Sequence, residues 1–144
     1  MARIDRARLE AARFAHSIQM ATRFDDLDVQ YHVNNVAVMV MLQEARVRFD
    51  KTAAVPSLKG KLRLLVAATA IEYAAELHYP APVEVATAVL LVGRTSFTLA
   101  QRIRQGGHSA IYAQTTMVLT DEEGAVPIPA EMRTALDGFA LPSA

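Results

Sequence analysis

The residues best suited to chemistry lie in one polar segment, residues 23–35, which reads Arg-Phe-Asp-Asp-Leu-Asp-Val-Gln-Tyr-His-Val-Asn-Asn. Its carboxylates, imidazole and amides could serve as nucleophiles, as bases or as hydrogen-bonding groups. A single Asp in such a segment is more often a turn or cap residue than a functional one. The ordered spacing of the whole string, directly before a predicted helix, favours a functional site.

The elements on either side of this segment must position it. Residues 16–24 alternate between apolar and polar side chains, which predicts a strand that buries Phe24 and its apolar neighbours on one face. Residues 36–49 predict a long helix, because Asn34 and Asn35 are good N-cap residues and strong helix formers follow. The first two turns of that helix are apolar on every side, so we expect other structure to surround it.

Four more strands are predicted downstream. Apolar and β-branched residues dominate 61–77, 83–92, 96–105 and 109–120, and Pro, Gly or polar residues bound each run. The first run is long enough to require a bend or bulge near its middle, and Gly106-Gly107 predicts a hairpin turn. This element order predicts an α+β fold in which an antiparallel five-stranded sheet wraps around one long central helix.

The remaining segments fit a single domain spanning residues 1–144. Residues 1–14 form an N-terminal extension, in which loosely spaced apolar residues predict a short helix. Residues 50–60, which include Pro56, predict a connection between the long helix and the next strand. A last helical turn is predicted at 129–136.

The composition excludes several classes of function. Lys and Arg total 15, as do Asp and Glu, so the chain lacks the basic stripe of nucleic-acid-binding proteins. The absence of Cys excludes disulfides, thiolate metal sites and cysteine nucleophiles. The N-terminus has no secretory signal pattern, and the longest apolar run, 36–42, is too short to span a bilayer. We therefore expect a cytoplasmic protein that binds neither nucleic acid nor membrane.

The string Arg-Phe-x-Asp-x-Asp-x-x-x-His-Val-Asn-Asn, followed by Glu-Ala-Arg on the helix, resembles the signature of 4-hydroxybenzoyl-CoA thioesterase-like hotdog proteins. Weaker similarity continues in Ile71-Glu-Tyr73, Gly93-Arg-Thr-Ser96 and Ile128-Pro-Ala-Glu-Met-Arg133. The resemblance covers residues from about 17 to 136. It implies a hotdog fold, acyl-CoA thioesterase activity, and assembly as a homodimer or a dimer of dimers.

The resemblance also implies roles for individual residues. In that family the second Asp of the pair is the catalytic carboxylate, which corresponds to Asp28, acting as nucleophile or general base. An amide in the first helical turn binds the thioester carbonyl, which corresponds to the N–H of Asn35. His32 and Asn34 would shape the loop against the substrate. Tyr31 stands where a Gly commonly precedes the His, so its phenol would narrow the site or lie against the substrate.

Thioester hydrolysis is compatible with so small a site. A simple thiol has a pKa of about 8.5, so the thiolate departs without a dedicated general acid. One carboxylate beside the free N–H groups and the positive dipole end of a helix would suffice. No cofactor or metal ion is needed. The residues do not decide between direct attack by the carboxylate, which gives a mixed anhydride, and activation of water.

Other polar residues are secondary candidates. Thr95 and Ser96 could hydrogen-bond the substrate or a catalytic water, or could simply begin a strand. Glu44 on the long helix is an alternative carboxylate, although an ion pair with Arg48 at i+4 is the more ordinary interpretation. Aliphatic residues such as Val38 stand where the family commonly has aromatic ones, which favours an alkyl chain over a stacked ring as the acyl group.

Two other functions stay open. One is a non-catalytic module that binds acyl-CoA or acyl-carrier protein, and the other is a hotdog dehydratase or hydratase. The latter normally needs a His and a carboxylate placed across the substrate, and the sequence shows no such second pair. His16, His78 and His108 lack ligand spacing, and the carboxylates of residues 25–28 alone are a weak signal, so no metal site is predicted.

Overall fold

The computed structural model describes residues 3–53 and 60–142. The elements in chain order are α1 (Arg6–Ala11), β1 (His16–Met20), a 3₁₀ turn (Phe24–Asp26), α2 (Asn35–Thr52), β2 (Arg63–Tyr73), β3 (Val83–Val92), β4 (Ser96–Gln105), β5 (His108–Asp121), β6 (Gly124–Ala125) and α3 (Ala130–Asp137). The predicted connection at 50–60 starts later than predicted, because α2 continues to Thr52, and its residues 54–59 lie outside the described residues.

Five strands form one antiparallel sheet in the order β1-β3-β4-β5-β2, and the two-residue strand β6 pairs with the end of β5. The predicted bounds of β3 and β4 are confirmed. The register of β2 against β5 shifts between Val66 and Ala68, so the predicted irregularity is present. Gly106 and Gly107 have φ values of +59° and +80°, which only glycine adopts without strain, and they turn β4 tightly into β5.

Helix α2 lies on the inner face of the sheet. Leu42, Ala45 and Phe49 fall on one stripe and are fully buried. Leu42 and Ala45 belong to a core cluster that includes Val85 and Ile103 of the sheet. Burial of each large apolar side chain contributes about 1.5–3 kcal/mol. The predicted α+β architecture, a sheet wrapped around one long helix, is therefore confirmed.

The expectation that α2 is surrounded on every side is wrong for the single chain. Val36 and Val40 are 70% and 59% exposed, and Met39 is also exposed. The reason is geometric, because the curved sheet of one chain leaves one side of the helix uncovered. We call the surface formed by Val36, Met39 and Val40 the open side of α2. Contiguous exposed apolar surfaces are common at sites where proteins bind ligands or other subunits.

The outer face of the sheet is covered by the ends of the same chain. Helix α1 is shorter than predicted, and Ile4 and Leu9 pack there with Ala88, Ala100 and Leu141. Strands β3 and β4 are consequently buried on both faces for most of their length. This explains why their sequences are nearly continuous apolar runs rather than alternating ones.

Strand β1 ends earlier than predicted. Met20 pairs with Val83, the first residue of β3, and the preceding Pro82 has no N–H with which to continue the ladder. Phe24, predicted to be buried in the strand, is 68% exposed in the 3₁₀ turn. Its ring meets that of Tyr79 edge to face, with centroids 6.1 Å apart. The apolar–polar alternation of the sequence therefore extends to Phe24, although strand pairing ends at Met20.

Candidate active site

The polar segment folds as a tight loop closed by its own backbone. Leu27 and Val33 pair as an isolated antiparallel bridge. Inside it, the amide of Asp28 donates to the carbonyl of His32 at 2.9 Å, and the amide of Tyr31 donates to the carbonyl of Asp28 at 3.0 Å. Two bonds across so short a loop fix the position of the backbone at residue 28.

The side chain of Asp28 is held by the same loop. Its Oδ1 accepts hydrogen bonds from the amides of Gln30, at 2.8 Å, and His32, at 3.2 Å. The residue is exposed to solvent. Among the described residues no donor reaches Oδ2. The carboxylate thus has one oxygen that fixes its orientation and one that is open for chemistry.

Tyr31 adopts a backbone conformation that favours glycine. Its φ is +62°, in the left-handed region, and it is the one non-glycine residue of the described chain with a positive φ. Such a conformation costs a residue with a Cβ about 1 kcal/mol or more. The phenol ring is mostly exposed at the tip of the loop. The conformation explains why a Gly suits this position in the family that the loop resembles.

The start of α2 offers free backbone donors. Asn34 is the N-cap, and its side-chain oxygen accepts from the amide of Ala37 at 2.8 Å. The amides of Asn35 and Val36 precede the helical hydrogen-bond ladder, and within the described part of the chain neither has an acceptor. With the helix dipole behind them, these two N–H groups favour a negatively charged oxygen.

Asp26 ties the loop to the helix start rather than presenting a free carboxylate. It is buried, and its side chain accepts from the amide of Arg23 at 3.0 Å and from the guanidinium of Arg23 at 3.4 Å. Its carbonyl accepts from the amide of Asn34 at 2.9 Å. Both oxygens of Asp26 are therefore occupied, whereas one oxygen of Asp28 is not.

His32 joins the loop to the segment that follows β2. Its Nε2 lies 3.1 Å from a carboxylate oxygen of Glu76. Its backbone bridges to His78, and the two imidazole rings meet edge to face with centroids 5.2 Å apart. The loop that carries Asp28 is thus held between the start of α2 and the chain leaving β2.

Two depressions flank α2. The first, of about 310 Å³, lies towards β1 and is bordered by Asp26, Met41, Glu44 and Arg48, and we call it the polar cleft. Glu44 and Arg48 form the predicted i, i+4 ion pair there, at 2.8 Å and half exposed. Asp28 is not among the residues that border either depression of the single chain.

The second depression, of about 390 Å³, lies between α2 and β2, and we call it the apolar groove. Val36, Met39, Arg46, Val66 and Ile71 are among the residues that border it. The groove begins at Val36, whose amide is one of the two free donors. A chain-like ligand bound with a carbonyl at the helix start would therefore lie along this groove.

Thr95 and Ser96 are not brought near Asp28 within one chain. Ser96 begins β4 and Thr95 lies directly before it, where the carbonyl of Thr95 accepts from the amide of Leu119 at 2.9 Å. The adjoining Phe97 packs in the cluster that contains Phe49, near the C-terminal end of α2. Since α2 has 18 residues, the two ends of the helix are about 27 Å apart.

A buried polar network under α2 was not predicted. Arg46 is only 8% exposed, and its Nη1 donates to Oε1 of Gln101 at 3.2 Å and to Oγ1 of Thr115 at 3.4 Å. Nε2 of Gln101 donates in turn to the carbonyl of Leu42 at 3.1 Å. The sequence signal was the position of Arg46, four residues after Leu42 and three before Phe49, on the buried stripe.

Asp50 lies one helical turn beyond Arg46 and acts on it through its charge, without a hydrogen bond between the two in the described chain. Burial raises the pKa of Asp50 to about 6, and the positive charge of Arg46 opposes that rise. Burial likewise lowers the pKa of Arg46. In the described chain Oδ1 of Asp50 is buried and receives no hydrogen bond. The pair is therefore poorly matched, and neither group fully satisfies the other.

Neither a metal centre nor a membrane span is found in the part of the chain that the structure describes. Within residues 3–53 and 60–142, no three His, Asp or Glu side chains lie close enough together to hold an ion. None of the helices that the structure describes is both long and apolar enough to cross a bilayer.

The family model of the thioesterase-like superfamily matches residues 22–136. No curated protein is similar enough to match the chain. Among solved structures, a predicted thioesterase from Bacillus stearothermophilus is 24% identical, with a TM-score of 0.81 over 89% of this chain and 98% of that one. A protein of Pseudomonas aeruginosa is 22% identical, with a TM-score of 0.81 over 91% of this chain and 95% of that one.

A thioesterase from Thermus thermophilus, solved with coenzyme A and zinc, is 22% identical to the chain. Its TM-score is 0.79, over 88% of this chain and 94% of that one. At these identities the structural similarity establishes the fold.

Proposed function

Because this chain belongs to the thioesterase-like superfamily, we propose that it hydrolyses an acyl-CoA thioester to the free acid and CoA. The predicted membership in the hotdog thioesterases is confirmed, and the fold and family are those of thioester hydrolases. The coenzyme A in the Thermus thermophilus structure supports CoA as the leaving group. The two carboxylate roles considered from the sequence remain part of the proposal.

One observation carries the proposal: a loop-held carboxylate with a free oxygen, a few residues before the first of two unpaired helix amides. Asp28 and the N–H groups of Asn35 and Val36 belong to elements that hydrogen bonds fix to each other. The amides would bind the thioester oxygen and stabilise the negative charge that develops on it. Oδ2 of Asp28 would attack the carbonyl carbon or take a proton from the attacking water.

Either route ends with the same products. In direct attack, the C–S bond breaks, CoA leaves as the thiolate, and water then hydrolyses the acyl anhydride on Asp28. In the water route, the hydroxyl of the water becomes part of the free acid, and the C–S bond breaks from the tetrahedral intermediate. The good leaving ability of a thiolate makes both possible without a general acid.

We further propose that the working enzyme is a homodimer. The open side of α2 lies beside β2, an edge strand that exposes Leu65 and Val66. Exposed apolar edges are normally covered, and pairing of β2 with its counterpart in a second copy would cover both surfaces. The apolar groove would then become a closed tunnel, and the Thr95–Ser96 turn of one subunit would be free to approach Asp28 of the other.

The deciding experiment is spectrophotometric thiol release from a panel of acyl-CoAs, with Asp28→Asn as the test variant. We expect turnover by the wild type and a fall in kcat of ~10²–10⁴-fold in the variant, as for loss of a positioned acid–base group. Asp25→Asn is the matched control, because Asp25 is exposed, lies in the same segment and carries the same charge. Equal rates for Asp28→Asn and the wild type would remove Asp28 from the chemistry.

A non-catalytic acyl-CoA binding module is the second candidate. It is favoured by the bonds from Gln30 and His32 to Oδ1 of Asp28, because an Asp that accepts from amides of its own loop is also an ordinary turn residue. This alternative predicts that acyl-CoAs raise the melting temperature of the protein without release of thiol.

A further inference from the structure

Arg46 carries a charge that the described chain does not neutralise at contact distance. Its recorded partners, the amide oxygen of Gln101 and the hydroxyl of Thr115, are both uncharged. No carboxylate oxygen of residues 3–53 and 60–142 lies within 4.0 Å of its guanidinium. Buried charges in proteins are normally paired, because an unpaired one loses its hydration without compensation.

Two nitrogen atoms of the Arg46 guanidinium are free to donate hydrogen bonds. Both hydrogen bonds of Arg46 use Nη1, so Nε and Nη2 have no acceptor among the described residues. Nε of Arg102 is fully buried without a hydrogen-bond partner, whereas Nε and Nη2 of Arg46 are not fully buried. Arg46 borders the apolar groove, whose other walls are mostly aliphatic. Gln43 and Thr69 are the other polar residues that border the groove. A ligand in the groove would therefore meet the guanidinium of Arg46 as its one charged neighbour among the described residues.

We propose that Arg46 selects acyl groups that end in a carboxylate. The inference rests on the proposed function, since it assigns the acyl group whose thioester is cleaved at the helix start. A carboxylate at the far end of the acyl chain would accept two hydrogen bonds from Nε and Nη2, the geometry in which Arg binds carboxylates best. The aliphatic walls of the groove would bury the methylene chain between the two ends.

The length of the acyl chain follows from the network. Gln101 bonds both Arg46 and the carbonyl of Leu42, so the guanidinium lies level with residues 42–43 of the helix rather than with its own Cα. Six or seven residues separate that level from Val36, or ~10 Å at 1.5 Å per residue. With C–C bonds of about 1.5 Å, this distance suits a straight-chain diacid of about six to ten carbons.

The test compares thiol release from suberoyl-CoA, octanoyl-CoA and the monomethyl ester of suberoyl-CoA by the wild type. The acyl chains have the same number of backbone carbons, so the terminal charge is the variable. We expect kcat/KM for suberoyl-CoA to exceed that of the other two by at least ~10-fold, which is typical of a charge-assisted hydrogen bond. Equal values for the three, or a preference for octanoyl-CoA, would overturn the inference and leave the proposed function standing.

Variants then assign the preference to Arg46. Arg46→Met should abolish the preference for suberoyl-CoA, whereas Arg46→Lys should keep part of it, because the charge remains without the bidentate fork. Lys51→Met is the matched control, since it removes the same charge from an exposed position of the same helix. A preference that survives in Arg46→Met would also refute the proposal. The wild-type comparison does not depend on whether the Met variant folds.

The failure of the proposed function would give a different result. If no acyl-CoA releases thiol, calorimetric titration of the wild type with suberoyl-CoA and octanoyl-CoA still measures the selectivity of the groove. Binding of suberoyl-CoA that is at least ~10-fold tighter and is lost in Arg46→Met would support the inference without catalysis. Equal affinities for the two would refute it.

Discussion

Replacing Asp50 by Asn should make the protein more stable at neutral pH and change it little in acid. The side chain lies one turn from Arg46 and is largely buried, with Oδ1 unbonded in the described chain. Asn has nearly the same shape and no charge. The substitution therefore removes the cost of burying an ionised carboxylate and leaves the packing around the C-terminal half of α2 in place.

The size and sign of the effect follow from the pKa of Asp50, about 6 in the folded protein against an ordinary value of 3.8. Between these two pH values the unfolded chain releases the proton while the folded chain keeps it. The free energy of unfolding of the wild type therefore falls as pH rises through this window. The difference amounts to ~3 kcal/mol above pH 6, an upper limit because the carboxylate is partly exposed.

Urea unfolding of wild type, Asp50→Asn and Asp25→Asn at pH 4 and pH 8 measures this effect. At each pH, the free energy of unfolding of each variant is compared with that of the wild type, which cancels the contributions of other titrating groups. We expect Asp50→Asn to gain up to ~3 kcal/mol relative to wild type between pH 4 and pH 8, and the exposed control to show no such pH-dependent gain. A loss of stability at pH 8 that is absent at pH 4 would refute the reasoning, since it would mean that ionised Asp50 is well paired with Arg46.

Three further predictions concern the loop, the helix start and the open side of α2. Asn34→Ala should cost about 1 kcal/mol and lower Tm by ~3 °C in a thermal scan, because the cap of Ala37 is lost, whereas Asn35→Ala should change Tm much less. Tyr31→Gly should unfold at the same or a higher urea concentration than wild type and Tyr31→Val at a lower one, because only Gly accepts a φ of +62° freely. In light scattering, Val40→Glu should convert the proposed dimer to monomer, while Leu91→Glu, at an exposed apolar position of β3, should leave that dimer intact. Equal Tm losses for the two Asn variants, a destabilised Tyr31→Gly, or a dimeric Val40→Glu would contradict the respective argument.

Elements that are bounded by cap or turn residues could be predicted from the sequence. Asn34 caps the start of α2, and Gly106-Gly107 forms the hairpin turn between β4 and β5. Caps and tight turns depend on a few consecutive residues, so the local sequence is enough to predict them. The end of β1 could not be placed, because it depends on Pro82, which is distant in sequence and adjacent in the sheet. Local patterns therefore fix where an element starts more reliably than where its pairing stops.

The candidate site likewise has a part that the local sequence predicts and a part that depends on contacts distant in sequence. The loop and its hydrogen bonds around Asp28 are local, and the sequence string pointed to them. The burial of Arg46 is not local, since its partners Gln101 and Thr115 lie 55 and 69 residues away. The first two turns of α2 are apolar all round and give no periodic signal to show which side of them faces the sheet. The open side of α2 could therefore be identified only from the structure.

The placement of α1 limits how the proposed dimers could assemble into a tetramer. Ile4 and Leu9 occupy the outer face of β3 and β4, together with Leu141. Two dimers that met back to back over these strands would have to expel their own terminal segments first, and would lose the apolar burial that those segments already provide. A tetramer of this chain is thus expected to form through surfaces other than the outer face of β3 and β4. Deleting residues 1–12 should expose apolar residues of these two strands and promote association through them.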